Sequence, residues 1–504
     1  MASPFCAPKF AGLPRRLPHS GRTGQQPNAP PNLTGATIGP DSRSVFQVHC
    51  EPGKLRMDCG RWNCRLWLWV GLLLSVSTCS PAGEGHLDRL SRSRLKATHQ
   101  AIADLARRRM PAPSPDGWRQ VRANLHVHSL LSHDSRGTVD EIVAAARKVG
   151  TEVILFTEHP STSKDFFTEG HRGLHDGVLL IPGAETEGFL CYPRQSLQGL
   201  KLGSPQEFAD LVCGRGGLMF VSHPEERMNW KLSGITGIEI YNTHADFKDE
   251  AALLKKLRNP LWLLQSADLF RQYPQEAMSA LLDYPTDYLR KYDELCQQRP
   301  HTGVAANDAH QNVGIMLRRV GDQQVRVSDA LDKELVRLDI AGNPVLEALV
   351  DGRQPEELVF ALRLDGYEHS LRHVGTHLLL ARGSELTQDA VWDALESGRC
   401  FVAFDWLANS VGFDFVAVSQ GIRHPMGSQL PFHRGISLEA RAPLPVMWRI
   451  SARGRQVHEA EGLTCTWQPT EPGPHRIEAW LEIAGEWLPW ILSNPVYLDA
   501  IPPR

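Results

Sequence analysis

Eight side chains of metal-ligand type stand in one window of the sequence: His126, His128, Asp134, His159, Glu185, His223, Asp308 and His310. Imidazole nitrogen and carboxylate oxygen together suit zinc, manganese or iron. Eight such groups exceed what one ion needs, so the set points to two or three divalent ions sharing a carboxylate. Ions a few ångströms apart can clamp the attacking and leaving oxygens of a substrate and lower the pKa of a bound water. Taken singly the signals are weak. An isolated His-X-His is common, and a histidine before proline, as in His223-Pro224, can as well be a helix cap or a satisfied core residue. Their shared position gives them weight, because nearly every one falls where a strand is expected to end.

The elements that must position them follow from periodicity. His126 and His128 close an apolar run and, two residues apart, face one side of a strand. Asp134 follows in a Ser/Gly loop. Val139 to Val149 repeats apolar residues at helical spacing, and Val153 to Phe156 is a short buried-strand run that leads into Thr157-Glu158-His159. This β-α-β pattern puts ligands at strand C-terminal ends, where parallel α/β folds keep their active sites. The pattern repeats. Strands are expected at Val178 to Ile181 before Glu185, Gly217 to Ser222 before His223, Gly237 to Tyr241 before His244, and Thr302 to Ala306 before Asp308 and His310. A short helix is expected at Glu207 to Cys213, and residues 246–300 are mostly helical. The expected fold class is α/β, a barrel of parallel strands with its polar residues on one face.

Composition bounds the alternatives. A chain of 504 residues buries a large core and divides into two or three domains. A net charge of -3 and the lack of a basic face argue against a nucleic-acid binder. Ten cysteines without a CxxC pair argue against a disulfide scaffold and a zinc ribbon.

Residues 1–56, rich in Pro, Arg, Gly, Asn and Gln, read as disordered or as a non-native extension. Residues 57–79 have the plan of an export signal: Arg61 and Arg65, the apolar run Leu66 to Val76, then small residues ending at Cys79. The run is too short to span a membrane. Cys79 after small residues resembles a lipoprotein cleavage site, with a lipid anchor there and an exported, periplasmic or membrane-anchored protein as the expectation. Residues 80–117 read as a helix and a Pro-rich linker, 118–320 as the barrel, and 321–409 as barrel completion and a connecting α/β segment. Residues 410–504 are Trp-rich and alternating, with short strands at Ile436 to Ala440, Pro445 to Ser451 and Arg476 to Ile483. They suggest a small C-terminal β-sandwich-like domain.

From about Trp118 to Gly314 the chain resembles the PHP (polymerase and histidinol phosphatase) superfamily of metal-dependent hydrolases. The resemblance is carried by Leu125-His126-Val127-His128, Ser132-His133-Asp134-Ser135 and Thr157-Glu158-His159, where the family more often has Thr-Asp-His. Pro182-Gly183-Ala184-Glu185, His223-Pro224 and Asn307-Asp308-Ala309-His310 complete it in the family's order. It implies a distorted (β/α)7 barrel holding two or three divalent ions. Carried over by residue, one ion lies on His126, His128, Glu185 and Asp308. Glu185 bridges to a second held by His223, and a third lies on Asp134, His159 and His310. In one respect the chain departs from the family. The histidine expected several residues after the bridging glutamate is missing from residues 186–193, leaving Cys191, Tyr192 or His244 as substitutes. More loosely, the stretch Pro489-Trp490-Ile491-Leu492-Ser493-Asn494-Pro495 is similar to the extracytoplasmic, carbaryl-hydrolase-like branch.

The function expected from this set is a metal-dependent hydrolase, foremost a phosphoesterase acting on a small phosphate ester. His159 and His310 are the candidates for proton transfer. Arg136, Lys164, Arg172, Arg194 and Arg227, in loops expected on the ligand face, are candidates to grip a phosphate. Two alternatives stay open. The same site can act on a carbamate, ester or amide, which an arginine-poor, aromatic pocket would favour. The barrel can also be a non-catalytic exported binding protein, which metal-free purified protein would favour.

Overall fold

The computed structural model describes residues 87–498, except 112, 114, 162, 201–202, 250–255, 257–259 and 281. The extension 1–56, the signal-like segment and Cys79 therefore lie outside the described residues. Among the described residues no helix is long and apolar enough to cross a membrane.

The stretch around His126 folds as its periodicity predicts. Strand Trp118–Val127 is followed by helix Val139–Val149 and strand Val153–Phe156. Thr138 caps the helix in a reciprocal capping box with Glu141, and Gly150 ends it in the left-handed conformation (φ 77°). The helix buries Ile142, Val143 and Ala146 against Val127, Ile154, Phe156 and Leu180. Clamped from outside in this way, the two strands present their C-terminal ends as a fixed platform.

The sheet closes on itself. The Trp118–Val127 strand pairs in parallel with Val153–Phe156 on one side and Thr302–Ala309 on the other. Val153–Phe156 pairs in parallel with Val178–Ile181, and Gly237–Asn242 with both Leu218–Val221 and Thr302–Ala309. Between them the all-parallel expectation fails, because Ala184–Thr186, Phe189–Tyr192 and Leu218–Val221 run antiparallel. The reason is local. Thr186 pairs with Phe189 across only Glu187 (φ 52°) and Gly188 (φ 83°), a two-residue turn with both φ positive. Such a turn reverses the chain, and a parallel crossover needs a dozen residues or more. The result is a mixed α/β sheet. Its first strand also pairs antiparallel with Gly375–Ala381 along residues 118–123.

Two further regions flank this core. Gly314–Val320, Gln324–Asp329, Glu334–Asp339 and Leu358–Arg363 form a four-stranded antiparallel sheet. Its apolar side, with Leu317, Val325 and Val327, shares a cluster with Phe270 and Met278. The C-terminal region is β-rich, as expected, but its strands are longer than the sequence suggests. Ile436 to Ala440 and Pro445 to Ser451 are one strand, Ser437–Ala452, with an irregularity between Arg441 and Val446. Pro443 and Pro445 fall within that irregularity, where the ladder is interrupted. The region joins the core sheet where Phe401 to Ala403 pair with Ile491 to Ser493.

Candidate metal centre

All eight ligand-type residues come together at the C-terminal ends of the parallel strands. Two bulges make this possible. Between Leu125 and Val127 the register slips in both parallel pairings, and His126 sits there at φ 61°. Leu125 packs with Val153 and Leu155, whereas Val127, two residues on, packs with Ile142 and Phe156. The sidedness of the strand thus switches at His126, which simple alternation does not foresee. Asp308 (φ 49°) occupies the matching irregularity on the neighbouring strand, and His223 (φ 44°) is also left-handed. A non-glycine residue in that region costs about 1–2 kcal/mol. Three such residues around one point are the concentration of backbone strain that functional sites show. Gly183 also serves placement. A Cβ there would lie 2.6 Å from the Phe156 carbonyl oxygen and 2.4 Å from the Tyr192 ring, so only glycine lets Glu185 approach.

The geometry resolves into overlapping groups. His126, Glu185, His223 and Asp308 offer donor atoms all within 4.8 Å of one another, and so do His128, Asp134, His159 and His310. A third set is His244, Asp308 and His310. In the first, His126 Nε2 lies 3.2 Å from both Glu185 and Asp308, and His223 Nε2 lies 3.3 and 3.4 Å from the same two carboxylates. In the second, Asp134 stands 3.4 Å from both His159 and His310. His128 lies between the groups. Its ring stacks on His310 at 3.8 Å, and its Nε2 is 3.6 Å from Asp308 and 3.7 Å from Glu185. His126 and His128 thus address the same two oxygens, Glu185 Oε2 and Asp308 Oδ1, as the resemblance implies, while His223 addresses the other oxygen of each carboxylate.

Divalent ions fit this arrangement. His126 Nε2, His128 Nε2, His310 Nε2, Asp134 Oδ1 and Asp308 Oδ1 are buried and make no hydrogen bond among the described residues. Buried polar atoms are normally satisfied, and here five of the exceptions converge on one point. The charge argument agrees. Burial alone would push His126 down, but Asp308, Glu185 and Glu239 overcome it and hold the imidazole up at about 10. Burial, with the charge of His310 added, pushes His128 down to about 3. Glu185 and Asp308 are held far below the usual carboxylate range, against burial, first by His126. Without metal, the pocket draws protons onto its histidines to balance its carboxylates. Divalent ions meet the same need and take the imidazoles in the neutral form that ligation requires.

The outer contacts aim the ligands. Glu239, fully buried, takes His126 Nδ1 at 2.7 Å and accepts from the His223 backbone N–H at 2.9 Å. Ser132 Oγ is 3.0 Å from His128 Nδ1 and donates to Glu158, which also accepts from Ser129. Glu225 takes His223 Nδ1 at 3.0 Å. Each filled Nδ1 leaves Nε2 to face the cavity, the usual way a ligating histidine is oriented. Tyr367, far along the chain, donates to the His128 carbonyl at 2.7 Å. None of these roles was read from the sequence. Glu239, a charge inside the apolar strand Gly237–Asn242, is the one whose position carried a signal.

Of the three substitutes for the missing histidine, only His244 reaches the cluster, its Nδ1 2.8 Å from Asp308 Oδ2. Cys191 is fully buried among apolar side chains, and burial pushes its thiol well up. Tyr192 is buried in a second apolar cluster. The five cations disperse. Arg194 binds the Gly216 carbonyl, before the strand that ends near His223, and pairs with Asp389, so it lies at the far end of the sheet from the ligands. Arg136 bonds the Leu331 carbonyl and Arg172 covers the Phe167 ring. Arg227 donates to the Ser222 and His223 carbonyls and so braces the His223 turn. Lys164 lines a cleft of about 290 Å³ with Pro160, Phe166, Thr186 and Phe208.

No family model matches the sequence, and no curated protein matches it. Among solved structures, one similar chain is a two-domain protein from Bacteroides vulgatus containing a predicted PHP-like metal-dependent phosphoesterase. It is 13% identical, covers 76% of this chain and 98% of its own, and superposes with a TM-score of 0.32. At that level of likeness the functional reading rests on the side chains themselves.

Proposed function

We propose that this protein is a metal-dependent hydrolase of the PHP type, built on a distorted (β/α)7 barrel, and that it acts on phosphate esters. The observation that carries the reading is the convergence of five buried, unbonded ligand atoms between two carboxylates that reach both groups of histidines. His126 and His128, with Glu185 and Asp308, would hold one ion. His223, with the other oxygens of Glu185 and Asp308, would hold a second, where His244 would stand in for the missing histidine. Asp134, His159 and His310 would hold a third. Zinc, manganese or iron in these positions supplies Lewis acidity toward a phosphoryl oxygen and toward an attacking water.

The chain's own residues do the rest. Glu239, Ser132 and Glu225 keep three ligand rings oriented through Nδ1, so no reorganisation is needed on binding. The open rim is formed by Asp134, His159 and His244, whose side chains are 30%, 27% and 31% exposed, while His126 and His128 are fully buried. Substrate enters there, and His159 would hand a proton to the departing oxygen only while its Nε2 is not on an ion. His310, shared between Asp134 and Asp308, serves the inner side. Hydrolysis of a carbamate, ester or amide is the second reading, favoured by the dispersal of Arg136, Arg172 and Arg194 onto other partners. The signal-like segment and Cys79 support placement outside the cytoplasm, as a periplasmic or lipid-anchored protein.

Elemental analysis of the purified protein, followed by assay of phosphomonoesters, phosphodiesters and carboxyl esters, tests the reading. Bound divalent metal and activity that disappears in His126→Ala are expected. Unchanged hydrolysis in that variant overturns it.

A further inference from the structure

We infer that Glu158 is a positioning residue of the centre: it sets the direction of the Ser132 hydroxyl and, through it, the tautomer in which His128 meets an ion. The inference rests on the metal-dependent reading and adds the residue that prepares one of its ligands. Three other ligand rings need no such help. His126 rests its Nδ1 on the Glu239 carboxylate, His223 on the Glu225 carboxylate and His310 on the Asp308 carbonyl. These partners only accept, so each Nδ1 carries the proton and Nε2 keeps its lone pair. His128 instead rests its Nδ1 on a hydroxyl, the Oγ of Ser132 at 3.0 Å. A hydroxyl donates as readily as it accepts, so it does not by itself decide which ring nitrogen holds the proton.

The hydrogens around Ser132 decide it. A hydroxyl has one hydrogen to give and two lone pairs to fill. The His159 backbone N–H, 3.0 Å away, fills one lone pair. Glu158 Oε2, 2.7 Å away, takes the hydrogen, because a carboxylate has none to give. The remaining lone pair faces His128 Nδ1 and accepts from it. Glu158 is itself buried and held in place. Ser129 donates to it through its backbone N–H at 3.0 Å and through its hydroxyl at 2.6 Å. The Glu158 carbonyl in turn accepts from the Glu185 N–H at 3.3 Å. One carboxylate thus governs the ring of His128 and, through the same hydroxyl, the backbone of His159.

The inner surroundings pull the other way. His128 Nε2 faces Asp308 at 3.6 Å and Glu185 at 3.7 Å, two carboxylates that favour a proton on that nitrogen until an ion arrives. The Ser132 hydroxyl opposes them, and Glu158 sets its direction. Glutamine at position 158 has the same shape and reverses that direction. The two Ser129 donors keep the amide oxygen in the place of Oε1, so the amide NH2 takes the place of Oε2 and donates to Ser132 Oγ. Both Ser132 lone pairs are then filled, its hydrogen turns to His128 Nδ1, and the ring proton moves to Nε2, where it blocks ligation. Ser132→Ala loses the aim of the ring but locks in neither tautomer. The isosteric change is therefore the more damaging of the two, and removing the hydroxyl relieves it.

The test uses the full chain, labelled on its histidine ring nitrogens and treated with chelator. Long-range nitrogen–proton NMR reads the His128 tautomer, the signal being assigned by its absence in His128→Gln. The proton is expected on Nδ1 in wild type, on Nε2 in Glu158→Gln, and divided between the two in Ser132→Ala. Zinc binding, by competition with a chromogenic chelator, is expected to weaken about 100-fold in Glu158→Gln and about tenfold in Ser132→Ala. In the double variant it is expected to weaken about tenfold, whereas independent effects would multiply to about a thousandfold. A proton that stays on Nδ1 in both single variants, or a double variant as weak as the product of the singles, overturns the assignment and leaves Glu158 a purely structural residue. Wild type that takes up no zinc overturns the metal-dependent reading, and the tautomers of the metal-free proteins then decide the Glu158 assignment by themselves.

Discussion

Two buried clusters of charge in this molecule look alike in composition and differ in bookkeeping. In the C-terminal region Arg476 lies between Asp293 and Glu478. It donates to both Asp293 oxygens at 2.8 and 2.9 Å and also to Glu478, which accepts in addition from Tyr284 and Trp480. Donors there are matched by acceptors, and the guanidinium is held well above its usual range, against burial, first by Asp293. At the strand ends, by contrast, histidines and carboxylates leave five buried atoms unbonded. A filled cluster holds elements together. A cluster with converging unfilled lone pairs is a site for something the chain does not itself supply.

The comparison breaks first if Asp308→Ala keeps its metal. Asp308 reaches His126, His223, His244 and His310, so its removal is expected to strip bound divalent ions by well over 100-fold in affinity, read by elemental analysis after dialysis. Added metal should also stabilise wild type, by about 2.7 kcal/mol at 100 times its Kd, and leave Asp308→Ala unmoved in thermal melts. Arg476→Met is the reverse case. Leaving Asp293 and Glu478 without their cation is expected to cost about 3–5 kcal/mol in urea unfolding, with metal content per folded molecule unchanged. Metal loss from folded Arg476→Met would show that the two clusters are not independent.

His373 sharpens the filled class. Its Nε2 lies 2.8 Å from the Tyr241 hydroxyl and its Nδ1 2.8 Å from Ser279, and burial pushes it down to about 3. The unfolded chain therefore takes up a proton near pH 6.5 that the folded chain refuses. The contribution is complete above pH 6.5 and falls by about 1.4 kcal/mol per pH unit as pH drops toward 3. Urea midpoints at pH 7.5, 6 and 5 should fall more steeply in wild type than in His373→Gln, and parallel slopes would refute this. The smallest expected effect is Glu239→Gln. It keeps the shape but weakens the hold on His126 Nδ1, and about 10–100-fold lower metal affinity is expected by competition with a chelator. An unchanged affinity would remove Glu239 from the centre.

Much of the site was legible in the sequence because ligand chemistry limits residue type and strand ends are marked by apolar runs. The eight named residues converge, and the elements Val139–Val149, Val153–Phe156 and Val178–Ile181 stand where periodicity put them. The backbone behind the grouping was less legible. His126 and His128 reach the same two carboxylate oxygens across a bulge between Leu125 and Val127 that periodicity does not show. The cations were least legible. Loop position along the chain does not tell which face a side chain meets, so Arg194 lies away from the ligands while Arg227 braces the turn of His223.

By itself, then, the sequence determined the ligand inventory and the β-α-β unit that begins it, since both depend on residue type and local periodicity. Tertiary structure alone decided which atoms meet. Left-handed backbone at His126, His223 and Asp308, antiparallel strands around Glu185, and carboxylates such as Glu239 behind the rings arise from pairing between distant segments. No local pattern encodes such pairing, because its free energy lies in contacts made only once the sheet has closed.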